Sequence, residues 1–383
     1  MRILFALPGL HRIDRGAEIA FISVANALAR RGHDVVLAGS GRERMGSSYR
    51  FIHVPSFPRR FFERFPTMPV FRDITTYEDL SFAPGLLWKY RPSAFDVTVT
   101  CSFPFTNWVL RRPTLGARRP PHVFVTQNGD WPARSNDAEY KLFGCEGLVC
   151  TNPDFHEMNK GRWFSALIPN GVDTQKFKNG KSNREQFNLP ADRKIVLMVS
   201  ALIESKRIDV AIDALSLIPD VHLVVAGDGP ERVAILAKAR QLLPDRFTNL
   251  VLSTEKMPDL YHSADMFLHM SFEESFGNIF PEALASGLPI IAHDSPRLRW
   301  IVGEYGKLLD TRNINDIAMC VAQITAPTET FREQIQQVAA RFDWSRIGAE
   351  YEQFFNQVIS RATNQSTLPL ERIGRHDASH EKS

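Results

Sequence analysis

The residues with the most chemical content stand together in Ser271-Phe272-Glu273-Glu274-Ser275-Phe276-Gly277-Asn278-Ile279-Phe280-Pro281-Glu282-Ala283-Leu284-Ala285-Ser286-Gly287-Leu288-Pro289. Two carboxylates, Glu274 and Glu282, flank a glycine and are separated by seven residues. The segment reads as a strand exit, a polar loop and a helix over 278–286 that a glycine ends. In open α/β sheets ligands bind at the carboxyl edge, which is where Glu274 would lie. Gly277 lets backbone N–H groups come close to an anion, and the helix start behind it adds about half a positive charge. Asn278, Glu282 and Ser286 share a face at i, i+4 spacing while Ile279, Ala283 and Leu284 turn to the sheet, so that stripe can hold a diol. Hydroxyls donating to a carboxylate contribute about 1.5–3 kcal/mol each before desolvation. A solvated helix face with acid near its positive end accounts for the same spacing.

A second loop, Gly227-Asp228-Gly229-Pro230, falls between a strand pattern and a helix pattern. It lacks the third glycine of a dinucleotide fingerprint, Arg232 standing in its place, so NAD binding is disfavoured and a tight turn explains most of it. No Asp-x-Asp occurs, and the one His-x-x-x-His pair, His376 with His380, falls in the C-terminal tail. No metal and no other cofactor is therefore expected. Cys101, Cys145, Cys150 and Cys320 are too scattered for a disulfide framework, so reduced thiols are expected.

Residues of this kind need rigid elements behind them. The chain has 383 residues, 44% hydrophobic and 23% charged, enough for two cores. Short β-branched runs alternate with helical patterns, which predicts α/β architecture with parallel sheets covered on both faces. Strands are expected at 2–7, 34–38, 96–100, 123–126, 147–150 and 166–168, with a helix over 17–31. The pattern breaks at Ile168-Pro169-Asn170-Gly171-Val172-Asp173 and restarts with strands at 195–200, 222–226, 249–252, 265–269 and 289–292. This gives an N-terminal Rossmann-like domain over 1–170, a linker over 171–193 and a C-terminal Rossmann-like domain over 194–343. A helix over 344–361 and a disordered tail over 362–383 complete the chain.

Lys plus Arg outnumber Asp plus Glu by 22 to 15 over residues 1–170, whereas the remainder has 24 against 28. The N-terminal half thus suits an anionic partner, although its charge is too dilute for nucleic acid. Basic and aromatic side chains interleave in Phe57-Pro58-Arg59-Arg60-Phe61-Phe62-Glu63-Arg64-Phe65. That run could seat the first domain on an anionic membrane, or form an acceptor loop whose aromatics pack inward. No window approaches the roughly 20 apolar residues of a spanning helix, and the N-terminus lacks the features of a signal peptide. A cytoplasmic protein, with peripheral contact on the inner membrane face, is expected.

Taken in order, these segments resemble the retaining glycosyltransferases of family 4. Glu-Ser-Phe-Gly, four residues and Glu-Ala-Leu-Ala-Ser-Gly-Leu-Pro over 274–289 carry the likeness. Arg15-Gly16-Ala17-Glu18, the 168–173 segment, Lys206 and Gly227-Asp228-Gly229-Pro230 support it. The resemblance implies a GT-B fold, two Rossmann-like doubly wound domains facing a central cleft, with the acceptor on the first and the donor on the second. It implies transfer of a sugar from a nucleotide diphosphate donor to a glycan, lipid-linked or small-molecule acceptor. Glu274 would meet the donor sugar hydroxyls, Glu282 the ribose, and Lys206 the departing diphosphate beside the amides of Phe276, Gly277 and Asn278. Gly16 would approach from across the cleft, and Gly227 would border the donor.

Two departures stand out. Ala201 occupies the place of the arginine that family members pair with the lysine, and Arg207 is the nearby cation that could compensate. Asn128 stands where many members have histidine, and can position a sugar but not titrate near neutral pH. Two other functions fit the same plan: a nucleotide-sugar isomerase or phosphorylase, and a sugar-nucleotide-binding protein without turnover.

Overall fold

A computed structural model describes residues 1–66, 75–113, 118–127, 144–274 and 276–367. Among these, seven strands form the first sheet: β1 (Arg2–Ala6), β2 (Asp34–Gly39), β3 (Arg50–His53), β4 (Val97–Cys101), β5 (His122–Val125), β6 (Gly147–Cys150) and β7 (Ser165–Leu167). Six form the second: β8 (Lys194–Val199), β9 (Val221–Ala226), β10 (Phe247–Leu250), β11 (Met266–His269), β12 (Ile290–His293) and β13 (Gly306–Leu309). The sheet orders are β3-β2-β1-β4-β5-β6-β7 and β10-β9-β8-β11-β12-β13. Every pairing is parallel, with Leu4 opposite Val36 and Thr98, and Leu197 opposite Val224 and Phe267.

The central strands β4 and β9 are buried along their whole length, as parallel strands covered on both faces must be. One face of the first sheet packs on helix Gly16–Arg30 through Phe5, Phe21 and Leu28, and the other on Phe82, Leu86 and Val109. In the second sheet Phe267 meets Phe280 and Leu284 on one side, while Leu268 meets Ile208, Ile212 and Val321 on the other. Chain order reverses between β1 and β4 and again between β8 and β11. At such points the helices leave on opposite faces and a crevice opens beyond the carboxyl ends.

Three expectations change. The stretch 171–193 is tied to the second domain: Phe177, Phe187 and Leu189 enter its core, and Val172 donates to the Phe342 carbonyl at 2.8 Å. The C-terminal helix runs Trp344–Thr367, so 362–367 continue it, and 368–383 lie outside the described residues. That helix belongs to the first domain, where Tyr351, Phe354, Phe355 and Val358 complete the core around Phe5.

Candidate active site

The carboxyl ends of β1, β4, β8 and β11 converge on a cavity of about 730 Å³ between the two sheets. Gly16 and Ala17 enter it after β1, Ser102 and Phe103 after β4, Ser200 and Lys206 after β8, and Glu274, Phe276, Gly277, Asn278 and Ile279 after β11. Both crevices that the chain reversals create thus face each other across one space.

Lys206 ends a short 3₁₀ turn, Glu204–Lys206, and its Nζ donates to Glu274 Oε1. The same oxygen lies 3.0 Å from Nε2 of His269, the last residue of β11, which is buried. Burial pushes the Glu274 carboxyl up, but the hydrogen bond and charge of His269, then those of Lys206, outweigh it and hold the group below the usual carboxylate range. Glu274 therefore stays an acceptor-only carboxylate at neutral pH. Sequence reasoning missed His269; its signal was a histidine at a strand's carboxyl end, five residues before the loop acid.

Gly277 has φ +77°, and a Cβ there would meet the Phe280 ring at 2.7 Å, so both backbone and packing require glycine. Phe276 is buried against Phe342 and borders the cavity. The Asn278 side chain accepts from Asn170 Nδ2 at 3.1 Å, and Asn170 exchanges bonds of 2.9 and 3.0 Å with Gln127. An amide chain thereby joins the two domains at the cleft floor. A Cβ on Gly16 would come 3.8 Å from Asn278 Nδ2, so the first domain's glycine faces the second domain's loop.

Glu282 does not share this cavity with Glu274. It lines a second one, of about 680 Å³, with Lys176, Thr254 and Met257; Asn278 borders both. Tyr261 donates to Glu282 Oε2 at 3.0 Å. Removal from water pushes the Glu282 carboxyl up to about 7, which Tyr261 and Lys176 oppose only in part. The expected stripe is shorter than its spacing suggested, because Ser286 is buried and its hydroxyl donates to the Phe177 carbonyl.

Two expected donor contacts fall outside the cavity lining. Arg207 has φ +53° and turns its guanidinium to the Met270 carbonyl, the Thr311 hydroxyl and the Thr311 carbonyl, each at 3.0 Å, with Phe272 stacked 3.9 Å away. It braces the β11 loop and does not line the cavity. Gly227 has φ +153°, and any Cβ there would overlap the Ser200 carbonyl, so it lets β9 close against β8. Asn128 lies outside the described residues. Among the described residues no three His, Cys, Asp or Glu side chains gather as a metal cage.

The profile described as Glycosyltransferase Family 4 matches residues 15–176, and that described as Glycosyl transferases group 1 matches 179–341. The chain belongs to the group 1, family 4-type glycosyltransferases. The glycosyltransferase is 23% identical over 321 residues to the lipopolysaccharide core biosynthesis glycosyltransferase LpsE of Rhizobium meliloti, covering 82% of this chain and 86% of that one. Sucrose-phosphate synthase from Thermosynechococcus elongatus superposes with a TM-score of 0.75 at 20% identity, covering 94% and 99% of the two chains. HepE of Anabaena, solved in complex with UDP, superposes at 0.72 with 18% identity, covering 93% and 100%. The fold is GT-B.

Proposed function

We propose that this glycosyltransferase moves a sugar from a nucleotide diphosphate donor to a glycan, lipid-linked or small-molecule acceptor, with retention at the anomeric carbon and without a metal. The observation that carries the reading is the cluster of Lys206, Glu274 and His269 at the carboxyl ends of β8 and β11, facing Gly16. Lys206 would neutralise the departing diphosphate, helped by the amides of Phe276, Gly277 and Asn278. Glu274, ionised and oriented by His269, would accept hydrogen bonds from the donor sugar. Glu282, in the adjoining cavity, would accept the ribose hydroxyls. Lys206 and Glu274 pair with each other, so a donor would replace that one ion pair by two substrate contacts. This is electrostatic preorganisation, with the charges in place before reaction. Retention follows when the acceptor hydroxyl attacks from the face that the diphosphate leaves.

Lipopolysaccharide core biosynthesis in the name of one relative supports a glycan or lipid-linked acceptor. Phe57, Phe61 and Phe65 are about half exposed beside the exposed Arg60 and Arg64. Phe57 stacks on Phe61 at 5.1 Å and Phe65 lies tilted 5.8 Å from Phe61, and all three still face solvent, which favours a seat on the inner, cytoplasmic membrane face. No helix among the described residues is long and apolar enough to cross a membrane. Proton NMR of the first-formed product, with EDTA present, tests the reaction: the donor's anomeric configuration and undiminished turnover are expected, and inversion or loss with EDTA contradicts it. Cosedimentation with anionic vesicles at low salt tests the seat, and failure to sediment contradicts it.

A further inference from the structure

Two chain segments pass between the domains, and they do so side by side. Val172 donates to the Phe342 carbonyl at 2.8 Å, and Trp344 to the Val172 carbonyl at 3.3 Å. A crossing confined to one such place fixes where two domains join but leaves the angle between them to contacts elsewhere. The amide chain from Gln127 to Asn278 is one such contact. A second bridge is charged. Arg297, in helix Pro296–Val302 after β12, donates through Nε at 3.1 Å and Nη2 at 2.8 Å to Oδ2 of Asp154, in helix Pro153–Asn159 after β6. Its guanidinium also lies 5.1 Å from the centre of the Phe155 ring, which is buried in the first domain.

Both helices hold these groups on fixed backbone. Each opens with proline and is capped from outside, by Asn152 Oδ1 accepting from the Phe155 amide and by Ser295 Oγ accepting from the Leu298 amide. Asp154 suits the positive end of its own helix, whereas Arg297 stands at the positive end of its helix, where a cation is disfavoured. The acid and the ring across the domain boundary, not its own helix, account for Arg297. Neither charged side chain lines the cleft cavity or the one beside it, and Phe155 lines neither. With side chains 19% and 36% exposed the pair adds little to stability. We infer that Arg297 and Asp154 are a positioning pair, which sets the angle between the domains and so holds the acceptor half of the cleft at reacting distance from the donor half. This rests on the donor reading above, with Lys206, Glu274 and Glu282 all on the second domain and the acceptor on the first. A misplacement of about 1 Å between reacting groups costs on the order of 100-fold in rate, so a bridge of little weight in folding has full weight in transfer.

The test compares the full chain with Arg297→Glu, Asp154→Arg and the double exchange, which restores the charge pair in reverse. Small-angle scattering should give a larger radius of gyration for each single variant, with the exchange returning it toward the starting value. Melting temperatures close to that of the unsubstituted protein report that the variants fold. Titration with uridine, guanosine, adenosine and thymidine diphosphates should leave the affinity of the nucleotide that binds within about threefold in all four proteins, because its contacts share no residue with the pair. Nucleotide release from the corresponding diphosphate glucoses, with water alone and with octyl glucoside as acceptor, should split. Hydrolysis stays unchanged, while transfer falls about 10-fold to 100-fold in the single variants and largely recovers in the exchange. A radius of gyration indifferent to both single substitutions, or transfer and hydrolysis falling together without recovery in the exchange, overturns the inference. Where octyl glucoside is not glycosylated, or where no nucleotide binds and the donor reading itself fails, the scattering series decides the pair.

Discussion

The cleft separates two acids that the sequence presents as one pair. Glu274 is ionised by His269 and Lys206, whereas Glu282, shut in beside Tyr261, is pushed up to about 7. Lys206→Ala should lower turnover by about 10²–10³-fold, the effect of removing one preorganised donor, in a steady-state transfer assay. The Glu282 carboxyl is raised above its unfolded value, so the folded state holds its proton more tightly. Its stabilising effect is fully present below the unfolded value near 4.5 and is lost as pH rises through about 7. Glu282→Gln should therefore flatten the fall in urea stability between those pH values, an effect on the order of 3 kcal/mol in the unsubstituted protein. Ribose recognition by the ionised form has the opposite sign, with donor affinity rising as pH passes 7. Glu274, Glu282 and the Gly277 loop stood out in the sequence because one loop and one helix fix their spacing, whereas Lys206 and Gly16, on the loops after β8 and β1, entered only through the family resemblance. Arg207 was not: whether it faces the cleft depends on a left-handed backbone that no periodicity encodes.

Glycines set how closely elements approach. Gly227→Ala would drive a methyl into the Ser200 carbonyl and Gly277→Ala into the Phe280 ring, both at positive φ. Each should cost about 1–3 kcal/mol in denaturant unfolding, and Gly277→Ala should also weaken nucleotide binding, since its loop borders the cavity. The buried strands were readable as apolar runs, with ends off by one or two residues. Two of the four edge strands, β3 and β13, were not, because Arg50–His53 and Gly306–Leu309 show neither an apolar run nor a clean alternation. Helix Thr75–Lys89 was also missed, its pattern being broken by Pro84 and Gly85.

The molecule is stitched together by its last helix. Phe355 packs 6.4 Å from Phe5 by ring centroids, and Gly348 lies against Ala27 of the first helix. Phe355→Ala should therefore destabilise the first domain by about 3–5 kcal/mol, seen as an earlier unfolding transition for that domain with the second unchanged. A linear reading could not find this, because it assigns the helix to a place after the second domain, where the chain puts it, and the first domain's missing core wall leaves no local trace. Two doubly wound units were legible from alternation alone, whereas the cleft between them came only with the family resemblance.

The most direct measurement is the thermal shift given by uridine, guanosine, adenosine and thymidine diphosphates and their sugars, on the unsubstituted protein and on Glu274→Gln and Glu282→Gln. At 100-fold excess over the dissociation constant a ligand stabilises by about 2.7 kcal/mol. One nucleotide should respond. Glu282→Gln should weaken both the bare diphosphate and its sugar, and Glu274→Gln the sugar-bearing form alone. No response to any nucleotide, or a response that neither substitution changes, contradicts a donor held between these two carboxylates.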